Sequence, residues 1–162
     1  MDIRIIESPE RLSAFLNDEK NTGNIVDKGQ RYFIKPDALY LGIYEGSLLV
    51  GVHEVRNFWH SVVECHAIYD PGFRGDYALD GHRLFCRWLL ENSTFTNSIT
   101  MVPDTTKYGR ALIRLLGASR IGHLDDAYIS NGKPVGVTLY QLKRTHYEDI
   151  ANAYFPDCKQ VP

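Results

Sequence analysis

The stretch from Ser61 to Gly117 constrains this chain most: it reads strand, turn, amphipathic helix, strand, amphipathic helix, glycine. The first turn is the informative one. A buried strand ending at Tyr69 meets Asp70-Pro71-Gly72-Phe73-Arg74-Gly75, and helical spacing begins at once. Such a turn gathers free backbone N–H groups and the positive end of a helix dipole at one spot, which suits a phosphate or pyrophosphate. The competing reading is an ordinary strand-to-helix turn capped by its own Asp70.

The flanking sequence supplies a sheet. Ile3 to Ile6 reads as a first strand, and Ser8 with Pro9 opens a helix that buries Leu12, Phe15 and Leu16. Residues 19 to 31 read as a loop with a short helical turn. Ala38–Tyr44 and Leu48–Val55 flank Glu45-Gly46 as a hairpin. Residues 56 to 60 read as a loop, whose Phe58 and Trp59 form either a partner site or part of the core.

The helix after Gly75 is expected to bury Tyr77, Leu84, Phe85, Trp88 and Leu89, with Gly81 close to the sheet. Asn97–Val102 is a further core strand ended by Pro103. A second helix opens at Thr105 or Thr106, turns Tyr108, Ala111, Leu112, Leu115 and Leu116 inward, and stops at Gly117. Ile121–Ile129 and Val135–Leu142 flank Ser130-Asn131-Gly132-Lys133, a second hairpin. Thr145–Tyr154 forms a last helix that caps the domain or serves as a docking face. Strands and helices mixed in this order predict an α+β (mixed α/β) fold with one central, mostly antiparallel sheet, residues 1–144 as the domain and 145–162 as a helical tail.

Composition narrows the function classes. A formal net charge of −2 gives no electrostatic reason to expect nucleic acid. No apolar run is long enough to span a membrane, and the N-terminus lacks a signal-peptide succession. Cys65, Cys86 and Cys158 are widely spaced, which predicts reduced thiols and a cytoplasmic setting.

The element order and three segments resemble the GNAT superfamily of acyl-CoA-dependent N-acyltransferases. Leu41 to Gly51 is similar to the family's first hairpin, Pro71-Gly72-Phe73-Arg74-Gly75 to its pyrophosphate loop, and Ala111 to Ala118 to its late helix. The texture around Arg74-Gly75 and Tyr77-Ala78 also resembles small GNAT-like phage proteins, some described as head-assembly or internal virion proteins. The chain departs from the pattern at Asp76 and Tyr77 in the loop, at Ile113 where many members carry a tyrosine, and at Ala118 where phenylalanine is usual.

The resemblance implies acetyl-CoA as cofactor. Backbone groups near Ile68 and Tyr69 would hold its amide arm, and N–H groups of Phe73, Arg74, Gly75 and Tyr77 its pyrophosphate. It implies either N-acetyl transfer to an amine acceptor or, for an inactive phage member, virion assembly through a protein partner in the host cytoplasm or particle; a homo-oligomer is compatible with both.

Amine acylation needs a base. Glu64 and His66 share one strand face, with Glu54 as a cross-strand neighbour, and Glu64 is the first choice, His66 the second. A solvated strand face is the alternative for all three. Tyr108 either returns a proton to the thiolate or packs on the sheet. Lys107, Arg110 and Arg114 form a basic flank that is either solvated or meets a phosphate. His53, His60, Glu64, Cys65 and His66 lack ligand spacing, so no metal site is expected.

Overall fold

Seven strands form one sheet in the order β1-β2-β3-β4-β5-β7-β6, built from β1 (Asp2–Ile5), β2 (Leu39–Glu45), β3 (Leu48–Trp59), β4 (Val62–Tyr69), β5 (Asn97–Pro103), β6 (Ser119–Ser130) and β7 (Lys133–Lys143). The helices are α1 (Pro9–Leu16), α2 (Glu19–Thr22), α3 (Asp76–Asn92), α4 (Lys107–Leu115) and α5 (Arg144–Tyr154). This computed structural model describes residues 1–23, 25–26, 29–130 and 132–155. Asn131 of the second hairpin and Cys158 lie outside the described residues. The α+β, mostly antiparallel architecture expected from the sequence is the one observed.

Parity along the strands sorts the two faces. On one face Tyr40, Val52 and Ile68 pack under Leu12, Phe15 and Leu16 of α1. On the other, Leu41, Val55, Val63 and Cys65 meet Phe85, Cys86 and Leu89 of α3, together with Ile113, Leu116 and Tyr147. Ser8 caps α1 by accepting the Arg11 N–H at 3.1 Å, as its sequence predicts.

Four local expectations are corrected. The segment 56–60 is not a loop: β3 continues through it, with Arg56 opposite Glu64 and Asn57 opposite Val63, and the turn falls at His60, which takes φ 48°. Phe58 and Trp59 at its end stand 55% and 68% exposed and do not fold back onto the core.

On α3 the buried stripe is Ala78, Gly81, His82, Phe85, Cys86 and Leu89, whereas Tyr77 is exposed. Starting the helix at Asp76 fixes that phase. On α4 the core residues are Ile113 and Leu116, while Tyr108 and Leu115 are 69% and 75% exposed. Their apolar face turns toward a groove instead of the sheet. Tyr147 of α5 is fully buried, stacked edge-on with Phe95 and bonded through its hydroxyl to Ser98 at 2.5 Å, so it offers nothing to a docking partner.

Candidate active site

Strands β4 and β5 are the only parallel neighbours among the described residues, and their pairing lasts three residues: Val62 with Asn97, Val63 with Ser98, Glu64 with Ile99. Beyond that point β4 stays on β3 and β5 stays on β7, so the sheet splits. From Cys65 onward the β4 edge has no ladder partner in β5. Two cavities open at the split, of about 390 and 360 Å³. They share Ala67, Ile68, Thr106, Gly109 and Leu112 in their walls, so they meet across the gap.

The smaller cavity is the groove between α3 and α4. Arg74, Gly75 and Asp76 line one end with Lys107 and Tyr108, and Tyr69 and Ala111 line its length. The turn leading to it divides its work. Asp70 accepts the Gly72 N–H at 2.9 Å and pairs with Lys20 at 2.9 Å, so its side chain caps the short 3-10 turn Pro71–Phe73 and not α3.

Gly75 is the N-cap of α3, with φ 71° and no side-chain cap. A Cβ there would meet nothing within 4 Å, so an anion can reach the backbone. The first intrahelical bond is from Leu79 N–H to Gly75 carbonyl at 3.0 Å, leaving the N–H groups of Asp76, Tyr77 and Ala78 without an intrahelical acceptor. Arg74 and Lys107 supply positive charge and Asp76 opposes it. A pyrophosphate fits this end through backbone donors and two cations.

The residues read from the sequence fall out as follows. Ile68 lines both cavities. Tyr69 lines the groove, but its hydroxyl reaches through to His53 Nε2 at 2.8 Å. Gly81 permits that reach, since a Cβ there would overlap the Tyr69 hydroxyl. Arg74 sits over the Tyr108 ring, 5.8 Å from its centroid. Phe73 departs from expectation: its N–H donates to the Asp70 carbonyl at 2.9 Å and is not free for a ligand. Its ring stacks edge-on with Tyr77, centroids 5.3 Å apart, and both side chains lie outside the two cavities.

The larger cavity holds Glu64 and His66 together. Glu64 is 0% exposed. Arg56 donates to its Oε2 from Nε at 2.9 Å and from Nη2 at 2.6 Å, and His66 Nε2 lies 2.6 Å from its Oε1. Glu54 stands opposite His66 across the ladder, accepting from Tyr32 Oη at 3.0 Å and from Lys35 Nζ at 2.5 Å; Lys35 is also 3.8 Å from Glu64.

Burial alone would raise Glu64, but the His66 contact and the Arg56 guanidinium outweigh it and hold the carboxyl down to about 2. The two carboxylates thus face two cations, and each Glu64 oxygen is already occupied. Arg56, Lys35 and Tyr32 were not singled out from the sequence. Arg56 fell in the segment read as a loop, and the other two come from an irregular stretch whose position only the fold sets.

Across the gap, on the α3 face, lie His53 and His82. The His53 ring stacks on Phe85 with centroids 4.3 Å apart, and His82 is 5.4 Å from His53. Burial pushes both imidazoles down, His82 to about 4, so both are neutral near pH 7. A signal for His82 was present: it falls four after Ala78 and three before Phe85, on the apolar stripe.

A model of the family described as "Protein of unknown function (DUF2824)" matches residues 3–153. A protein named p31 from Acyrthosiphon pisum secondary endosymbiont phage 1 is 32% identical over 154 residues, covering 95% of this chain and 97% of that one. Among solved structures, the spermidine N-acetyltransferase from Vibrio cholerae in complex with CoA and spermine superposes with TM-score 0.74 at 14% identity, covering 90% of this chain and 96% of that one. The ribosomal-protein-alanine N-acetyltransferase from Brucella melitensis gives 0.72 at 16%, over 88% and 99%. At such identities the likeness is one of fold, and that fold is the GNAT acetyltransferase fold.

Proposed function

This chain belongs to the DUF2824 family, and we propose that it is an N-acetyltransferase moving an acetyl group from acetyl-CoA to an amine. The observation that supports this best is the split between β4 and β5, which joins a groove suited to a pyrophosphate with a cavity holding a buried acid–histidine pair.

Acetyl-CoA supplies an activated thioester. The first-turn N–H groups of α3, with Arg74 and Lys107, bind its phosphates, and the apolar face of α4 (Ala111, Leu112, Leu115) flanks its arm. The free β4 edge near Ala67 and Ile68 orients the arm and polarises the carbonyl.

His66 is the base in this reading. With its Nε2–H donated to Glu64, Nδ1 is free to take the proton of an incoming ammonium. Glu64 is a positioning residue: held ionised by Arg56, it fixes the tautomer and stabilises the imidazolium. Tyr108, at the groove, returns a proton to the leaving thiolate.

Calorimetric titration with acetyl-CoA tests the reading. Saturable binding is expected, weakened about tenfold or more in Arg74→Glu with the thermal transition unchanged. No heat at millimolar ligand would end it.

A second reading has its own support in exposed Phe58 and Trp59 and in the phage relative. In it the fold acts through its surface in particle assembly. Trp59→Ser would then lower the protein's incorporation into particles while leaving its stability unchanged.

A further inference from the structure

On the α1 side of the larger cavity the charges lie in two tiers. Glu54 and Glu64 form the buried tier, their side chains 3% and 0% exposed. Lys35 and Arg56 form the outer tier, 22% and 29% exposed, and both line the cavity, whereas Glu54 does not. Asp37 acts on Arg56 through space but is no part of the cavity wall. A molecule approaching His66 therefore meets two cations before it meets either carboxylate.

That order limits the acceptor. Glu64 is closed to solvent and already receives Arg56 and His66, so it does not hold an incoming ammonium. A second ammonium on the acceptor would lie against Lys35 and Arg56 and be repelled. An anionic group is attracted. Arg56 spends Nε and Nη2 on one oxygen of Glu64, and its Nη1 has no hydrogen-bond partner among the described residues. Glu54 and Glu64 already offset the charge of the outer tier, so a singly charged carboxylate fits it better than a phosphate dianion.

Spacing then ties that carboxylate to the reacting amine. Lys35 Nζ and His66 Nε2 flank the same Oε1 of Glu64, at 3.8 and 2.6 Å. An anion on Lys35 and an amine at His66 thus belong to neighbouring atoms of one small molecule and not to the two ends of a long chain.

We propose that the acceptor is an α-amino acid, its carboxylate held by Lys35 and Arg56 and its amine presented to His66. This rests on the acyltransferase reading above and names its acceptor class. His66 takes one proton from the ammonium, and the free amine attacks the thioester carbon. The N–C bond forms as the C–S bond breaks. The new amide loses a second proton, which balances the one Tyr108 gives the thiolate, and His66 releases its own to water. The products are an N-acetyl amino acid and free CoA.

The test measures thiol release from acetyl-CoA with each of the twenty amino acids, with the corresponding amino acid amides and with 1,5-diaminopentane. At least one amino acid should be turned over with kcat/KM about tenfold or more above its amide and above the diamine. Lys35→Gln should shrink that ratio, mainly through a higher KM for the amino acid, and Lys35→Arg should restore it in part. Equal or faster turnover of the amides or the diamine would overturn the acceptor proposal alone, as would calorimetric binding of acetyl-CoA without transfer to any amino acid. Failure of acetyl-CoA to bind would overturn both this proposal and the acyltransferase reading. The wild-type comparison decides the matter even if the variants do not fold.

Discussion

Adjacent residues of β4 meet opposite chemistries. Glu64 and His66 face α1 and sit in a network where two carboxylates meet Arg56, Lys35 and the Tyr32 hydroxyl. Cys65, between them, faces α3 and shares its side of the cavity with two neutral histidines. Glu64 on one face and His53 and His82 on the other are all nearly fully buried, so burial alone does not decide the charge state. What differs is whether a cation is within reach. On the α1 face the cations hold Glu64 ionised; on the α3 face nothing offsets desolvation, and the imidazoles stay uncharged.

Removing the cation should give the largest effect. Arg56→Met leaves Glu64 buried with only His66 and a distant Lys35, and should cost about 3 kcal/mol in urea unfolding. An unchanged midpoint would mean that the charged face is not held by that pair. Gly81→Ala probes the neutral face: the new methyl displaces the Tyr69 hydroxyl from His53, for an expected loss of about 2 kcal/mol.

A further effect is graded with pH. Glu64 is held near 2, below its ordinary 4.5, so below about 4.5 the unfolded chain takes up a proton that the folded one refuses. Its stabilisation is complete above that pH and is lost as the pH falls toward 2, by no more than about 1.4 kcal/mol per pH unit. Glu64→Gln should remove that slope from the acid-unfolding curve; an unaltered slope would place the acid sensitivity elsewhere.

Local chemistry was legible where a residue's own backbone needs dictated the outcome. Ser8 caps α1, Gly46 and Gly117 take positive φ at the ends of their elements, and Gly75 starts α3. Where two outcomes were locally equivalent, the sequence did not choose. Residues 56 to 59 have polar and aromatic members that suit a loop, yet β4 offers a ladder and Arg56 gains Glu64 across it. The apolar face of α4 fits a core as well as a groove, and only the split between β4 and β5 decides that a groove lies there.

The same division runs through the candidate site. The sequence by itself determined that Glu64 and His66 share a face and that Glu54 lies on the neighbouring strand, because period-two alternation needs no partner to be read. It also determined the strand-turn-helix, whereas the structure decided that Asp70 caps the short turn Pro71–Phe73 and leaves α3 without a side-chain cap. Only the tertiary structure decided that Arg56 and Lys35 reach those carboxylates, that Phe73 uses its own N–H within the turn, and that His82 stands unpartnered across the gap. Charge state and hydrogen-bond satisfaction depend on which groups come within a few ångströms from distant parts of the chain, and no local pattern encodes that.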